Sequence, residues 1–169
     1  KNCVANVACN FTTNRMMEDY INKYYLPLAQ RSSKIVAGEY AMAKEIAEWK
    51  KKMRREWPMV EVISSSNVDN LSGALLLNNE YNAELVLSVG EIDPQDLGIE
   101  LVLAEPNRKG KLCIKEIFEY KVAESKDGVA TYKCKIVPDK TGAYHAALRM
   151  YAKNKQLPHR QDFELVKWL

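Results

Sequence analysis

No apolar run in these 169 residues approaches the roughly 20 needed to cross a bilayer as a helix, which excludes a helical membrane span. Glycine is scarce, seven in all, and neither Gly-x-Gly-x-x-Gly nor a P-loop pattern occurs, so no phosphate cradle is readable. The four cysteines, Cys3, Cys9, Cys113 and Cys134, are too few and too scattered for a disulfide scaffold. None forms a Cys-x-x-Cys pair, and neither His145 nor His159 neighbours a cysteine, so a zinc site is not expected. Neither sign of charge dominates. Lys and Arg number 25 against 22 Asp and Glu, and a net +3 with pI near 8.6 is too mild to imply nucleic acid. The opening Lys1-Asn2-Cys3 has no initiator Met and leads into no signal-peptide core, so processing or a piece of a longer protein is expected, in a reducing cytoplasm. On that reading the triplets Asn10-Phe11-Thr12 and Asn70-Leu71-Ser72 are chance rather than glycosylation acceptors. What is present, 47% apolar and 28% charged residues, is an ordinary globular balance.

Two halves are legible. Up to about Pro58 the pattern is helical: Thr12, Thr13 and Asn14 are N-cap candidates, and Glu18 and Asp19 would lie near the positive end of the helix dipole. Met17, Tyr20, Ile21, Tyr24 and Leu28 make one apolar stripe, which Pro27 interrupts, so a kink or restart is expected near Tyr24. A second helix is expected from about Gly38 to Trp57, with Met42, Ile46, Trp49, Met53 and Trp57 on its apolar side. After Pro58 the period falls to two. The runs are Val60–Ile63, Tyr81–Val89, Ile99–Leu103, Ile114–Val122, Ala130–Ile136, Tyr144–Met150 and Phe163–Trp168, parted by turn signals such as Asn78-Asn79, Asp93-Pro94 and Asp127-Gly128. Seven or eight short strands without intervening helices predict an antiparallel, immunoglobulin-like β-sandwich. The fold class is therefore α+β, with a helical segment over 1–58 and a sandwich over 59–169. Charge divides with it: residues 1–57 carry 11 Lys/Arg against 6 Asp/Glu, and the remainder is acidic.

Chemistry is harder to find. Lys50, Lys51, Lys52, Arg54 and Arg55 could contact phosphate or nucleic acid, or be the solvated face of the helix that carries Trp49, Met53 and Trp57. Tyr24, Tyr25, Tyr40, Trp49, Trp57 and Trp168 could stack on sugars, yet most lie on apolar stripes where packing is the default, and Trp168 follows the alternation of its strand. Glu18-Asp19 and Glu45 with Glu48 sit among basic residues, where surface pairing explains them. Leu157-Pro158-His159-Arg160-Gln161-Asp162 brings a His, an Arg and an Asp together, readable as an acid/base site or as a turn into the last strand. Buried in its strand, Cys134 reads as a small hydrophobe. No catalytic, cofactor-binding or metal residue is assigned.

Several segments carry a resemblance. Phe11-Thr12-Thr13-Asn14-Arg15-Met16-Met17-Glu18-Asp19-Tyr20 and the following Ile21-Asn22-Lys23-Tyr24-Tyr25-Leu26-Pro27-Leu28-Ala29 resemble a stretch near the C-terminal end of bacterial α-glucan (glycogen/maltodextrin) phosphorylases. So do Tyr40-Ala41-Met42-Ala43 through Trp49-Lys50 to Trp57, the run Val89-Gly90-Glu91-Ile92-Asp93-Pro94 to Leu101, and Tyr144–Met150 with the closing Leu165-Val166-Lys167-Trp168. The resemblance covers nearly the whole chain in order. It implies a non-catalytic C-terminal fragment of an enzyme that releases glucose 1-phosphate from α-1,4-glucans with orthophosphate. It also implies pyridoxal phosphate for the parent only, because the family's cofactor lysine lies in a glycine-rich segment upstream of anything matched here. The implied partners are the rest of the catalytic region, α-glucan as a candidate ligand, and self-association through helices whose apolar stripes have lost their cover. The alternative is a free-standing carbohydrate-binding or protein-interaction sandwich. Neither reading involves nucleic acid or membrane.

Overall fold

The computed structural model describes residues 4–8, 10–66, 73–76 and 79–169. Cys3, Cys9, the Asn70-Leu71-Ser72 triplet and Asn78 lie outside the described residues. The chain forms two compact units, Lys1–Glu48 and Trp49–Leu169. Among the described residues no helix is long and apolar enough to cross a membrane.

The first unit is helical. Thr12 Oγ1 accepts from the Arg15 amide at 3.2 Å and so caps α1 (Thr13–Tyr20). Glu18 and Asp19 fall in the last turn of α1 rather than its first, where Asp19 pairs with Lys23 at 2.8 Å. Ahead of Pro27 the helix widens into a π-helical turn, Ile21–Tyr25, with the Leu26 amide reaching the Ile21 carbonyl. A wider turn relieves the clash between a proline ring and the carbonyl four residues back, and the path continues into α2 (Leu26–Glu56) without a restart. The regular helix breaks at Ala37–Tyr40, where Ala37 is extended and Gly38, Glu39 and Tyr40 all have φ between 54° and 64°. The described residues of this unit include no buried one. Tyr20, Tyr24 and Tyr25 cluster, with ring centroids 6.2 and 6.5 Å from Tyr20, but remain exposed, as do Met17, Ile21 and Leu28.

The second unit begins with the last two turns of α2. Nine strands are present among the described residues, more than the seven or eight expected. They are β1 (Glu61–Ser66), β2 (Gly73–Leu75), β3 (Tyr81–Ser88), β4 (Leu97–Pro106), β5 (Leu112–Glu119), β6 (Lys121–Lys126), β7 (Val129–Ile136), β8 (Gly142–Ala152) and β9 (Val166–Trp168). One sheet has the order β1-β3-β7-β6; the other is β2-β8-β4-β5, with β9 added beside β8. All pairs are antiparallel. The excess has two sources: β2 is too short to show alternation, and the single run read over Ile114–Val122 divides at Tyr120. There the chain leaves β4 and joins β7, and the buried Tyr120 donates its amide to the Ile99 carbonyl at 2.9 Å.

Leu85, Leu87, Tyr132 and Ile136 from one sheet meet Ile99, Leu101, Leu148 and Met150 from the other in one core, joined by Met53 from the end of α2 and by Trp57 from the 3-10 turn that follows it. The period of two holds on β3 and β7, where one face alone is buried. Strand β4 departs from it, being buried on both faces from Leu97 to Ala104. On its outer face the Tyr151 ring lies over Gly98, where a Cβ would stand 2.3 Å from Tyr151 Cζ.

Candidate functional site

The outer face of β4 also presents Glu100, a buried carboxylate 7% exposed. Register sets it opposite Arg149 on β8, and Arg149 in turn opposite Trp168 on β9. Glu100 Oε2 accepts from Arg149 Nε at 3.0 Å and from Arg149 Nη2. Glu100 Oε1 accepts from Arg160 Nη1 at 2.7 Å. Both oxygens therefore carry charge-assisted bonds, the condition under which a buried carboxylate is tolerated. The guanidiniums then continue onto aromatic rings: Arg149 lies 5.7 Å from the Trp168 centroid and Arg160 lies 5.4 Å from that of Tyr151. Burial, followed by the nearby Glu100 and Glu119 charges, holds the Tyr151 phenol above its ordinary value. A cavity of about 330 Å³ opens beside this network, walled by Arg149, Tyr151, Arg160, Gln161, Phe163 and Trp168.

The turn that supplies Arg160 is the stretch whose His, Arg and Asp invited an acid/base reading. The structure gives those groups capping work. His159 Nδ1 accepts from the Gln161 amide at 3.1 Å, and Asp162 Oδ2 accepts from the His159 amide at 3.1 Å. Arg160 turns away to Glu100. Glu100 and Arg149 were missed, since each reads as an outward polar residue in an alternating strand. Their pairing is a matter of register, which a single sequence does not display.

The basic cluster is largely engaged by its own chain. Lys50 Nζ donates to the Asp162 carbonyl at 2.9 Å and lies 5.2 Å from the Phe163 centroid; Arg54 lies 5.1 Å from the same ring and pairs with Glu164 at 3.1 Å. Arg55 pairs with Glu56 at 2.6 Å. Trp49 packs on Phe163 at 5.2 Å and donates Nε1–H to Asp96 Oδ2 at 2.8 Å, while burial keeps the Asp96 carboxyl above its usual range. Trp49 and Trp57 are thus packing residues. Trp168, expected to be packed as well, is 57% exposed, because alternation says which face a residue takes on edge strand β9 but not whether that face is covered. Tyr24 is also exposed, against the packing expected of its stripe, as are Tyr25 and Tyr40, which lie on neither stripe.

A second groove, of about 650 Å³, touches β3, β6 and β7. Two of its cations are already paired, Lys133 with Glu84 at 3.4 Å and Lys135 with Glu80 at 2.6 Å. Its Cys134 thiol is pushed up to about 11 by burial, so at neutral pH it is an unreactive packing group. Pyridoxal phosphate does not fit the described residues, since it needs a sheltered amine for its Schiff base. Every described lysine is exposed except half-buried Lys50, whose amine is held by Asp162 and Phe163. Among the described residues no group of three or more His, Cys, Asp or Glu could hold a metal ion.

Comparison with known proteins gives two findings. The family model described as "Glycogen phosphorylase C-terminal domain" matches residues 57–169. The chain is 22% identical over 172 residues to a maltodextrin phosphorylase of Thermococcus litoralis, covering 99% of this chain and 20% of that protein. It is 26% identical over 92 residues to glycogen phosphorylases of Mycobacterium tuberculosis and Mycobacterium bovis, covering 53% of this chain and 10% of each. The chain thus spans a fifth or less of these relatives' length. No solved structure matches.

Proposed function

The chain belongs to the glycogen phosphorylase C-terminal domain family, and from that premise we propose that it is the non-catalytic C-terminal part of an α-glucan phosphorylase. The parent would release glucose 1-phosphate from α-1,4-glucans with orthophosphate in the cytoplasm. Pyridoxal phosphate and every catalytic residue would lie in the region preceding this chain. Residues 1–58, as two helical segments joined at Ala37–Tyr40, would close that catalytic region, and residues 59–169 would form an accessory domain. The two stacked antiparallel sheets and the strand run that changes sheets at Tyr120 support an immunoglobulin-like reading of that domain.

One observation carries the assignment of the helical unit. Met17, Tyr20, Ile21, Tyr24 and Leu28 form a stripe at helical spacing, yet each is at least 39% exposed. A contiguous apolar stripe of that kind belongs against another surface. The described residues among the first 48 supply none, and the relatives' additional length offers one. Held alone in solution, the chain would cover the stripe with a second copy.

The test has a genetic and a physical half. The reading frame upstream of the Lys1 codon should continue into a long region with a glycine-rich segment and a candidate cofactor lysine; a start codon just upstream would sink the reading. The isolated chain should show no phosphorolysis and should oligomerise by light scattering. The double substitution Tyr24→Glu, Leu28→Glu should return it to a monomer with the sandwich intact.

A further inference from the structure

We infer that the cavity bounded by Trp168, Tyr151, Arg149 and Arg160 is a pyranose-binding subsite on the outer face of the sandwich, and that its ligand is an α-1,4-linked glucose unit of a glucan. The choice of glucan rests on the function proposed above; the choice of a pyranose rests on the pocket itself.

Three features point to a neutral, ring-shaped, hydroxyl-rich ligand. First, the wall is aromatic. Trp168 is the exposed member of the chain's three tryptophans, 57% accessible although Arg149 lies against its ring, while Trp49 and Trp57 are packed. A flat ring beside an amphipathic partner suits the C–H face of a sugar, where apolar contact and polar edges are needed together. Second, donors remain. Each guanidinium has five N–H groups, and Glu100 takes bonds from two on Arg149 and one on Arg160. Gln161 adds an amide with both donor and acceptor at the same wall. Third, the wall carries carboxylates as well as cations. Glu100 holds both arginines and Glu164, at the rim, holds Arg54, so an entering anion would meet two carboxylates beside the three guanidiniums. A hydroxyl, which donates and accepts without carrying charge, suits both kinds of group.

The site is also rigid. Arg149 and Arg160 share one buried anchor, and Tyr151 is seated on Gly98, where no other side chain leaves room for its ring. Donors fixed in this way lose little freedom when a ligand arrives.

The experiment uses the full chain and maltoheptaose as the probe. Tryptophan emission should change saturably on titration, and calorimetry should give the affinity. Trp168→Ala, at an exposed position on edge strand β9, should leave the thermal transition in place and weaken binding tenfold or more. Gln161→Ala should weaken it severalfold and keeps the test decisive if the first variant misfolds. Equal affinity in wild type and both variants, or no saturable signal, overturns the subsite. Citrate that binds, and is displaced by inorganic phosphate but not by maltoheptaose, overturns it in favour of an anion site. Binding of cellopentaose and not maltoheptaose overturns the α-glucan assignment and with it the link to the proposed parent, while the pyranose platform stands.

Discussion

Glu100→Ala is the perturbation that most directly tests how the outer face of β4 is built. The carboxylate is 7% exposed and is shared by two guanidiniums of different burial, since the Arg149 side chain is 17% exposed and that of Arg160 is 44%. Removing it strands Arg149 as an uncompensated, mostly buried cation, a change worth about 3–5 kcal/mol when a buried pair loses one member. Arg160 can swing into water, so its share stays within the roughly 0–1 kcal/mol of an exposed pair. The expected loss is therefore about 3 kcal/mol for Glu100→Ala against less than about 1 kcal/mol for Arg160→Ala. For a unit of this size that is on the order of 10 °C in Tm for the first and a few degrees for the second. Urea unfolding followed by the emission of packed Trp49 and Trp57 reads both. The double variant Glu100→Leu, Arg149→Leu should recover most of the loss, because apolar residues of similar size often match a buried ion pair. Equal losses for Glu100→Ala and Arg160→Ala, or a loss below about 1 kcal/mol for the former, would refute the claim that burial of Arg149 decides the cost.

Two further outcomes follow from the same face and its neighbour. Gly98→Ala should cost about 1–3 kcal/mol by overpacking, since the new methyl meets the Tyr151 ring and either the ring or the strand must move; thermal scans that match wild type would show that the ring is not seated there in solution. Asp96→Asn should steepen the acid limb of the stability curve, because it removes a contribution that runs against that limb. With its carboxyl raised chiefly by burial, Asp96 binds its proton more tightly folded than unfolded, so its contribution falls as pH rises from the ordinary value through the raised one. The asparagine keeps an acceptor for Trp49 Nε1 and loses that dependence. Urea titrations from pH 3 to pH 7 that give parallel curves for wild type and variant would contradict this.

Much of the fold was legible because burial on one face writes itself into a period of two, as on β3 and β7. Where both faces are covered the same pattern misleads. Gly98-Ile99-Glu100-Leu101 reads as alternation with a solvated side, and only the tertiary arrangement of Tyr151, Arg149 and Arg160 shows that side to be closed. Alternation also runs unbroken through Tyr120, so a change of sheet leaves no local mark. The pocket was half visible: Trp168 stood among the sugar-stacking candidates and Arg160 within a singled-out turn, but the anchor that joins them depends on strand register. The helical stripe was legible as periodicity, whereas its exposure was not, since spacing says which residues share a face and not whether that face is covered.

The latch between the end of α2 and the final turn has a consequence in time. Lys50 meets Asp162 and Arg54 meets Glu164 across 112 and 110 residues of chain. A ribosome adding about 5–20 residues per second delivers the second member of each pair roughly 5–20 s after the first. Throughout that interval Trp49 lacks Phe163, and β8 lacks the closing strand β9. Nascent chains halted before Phe163 would therefore hold an open helix end, which closes once the final turn is made.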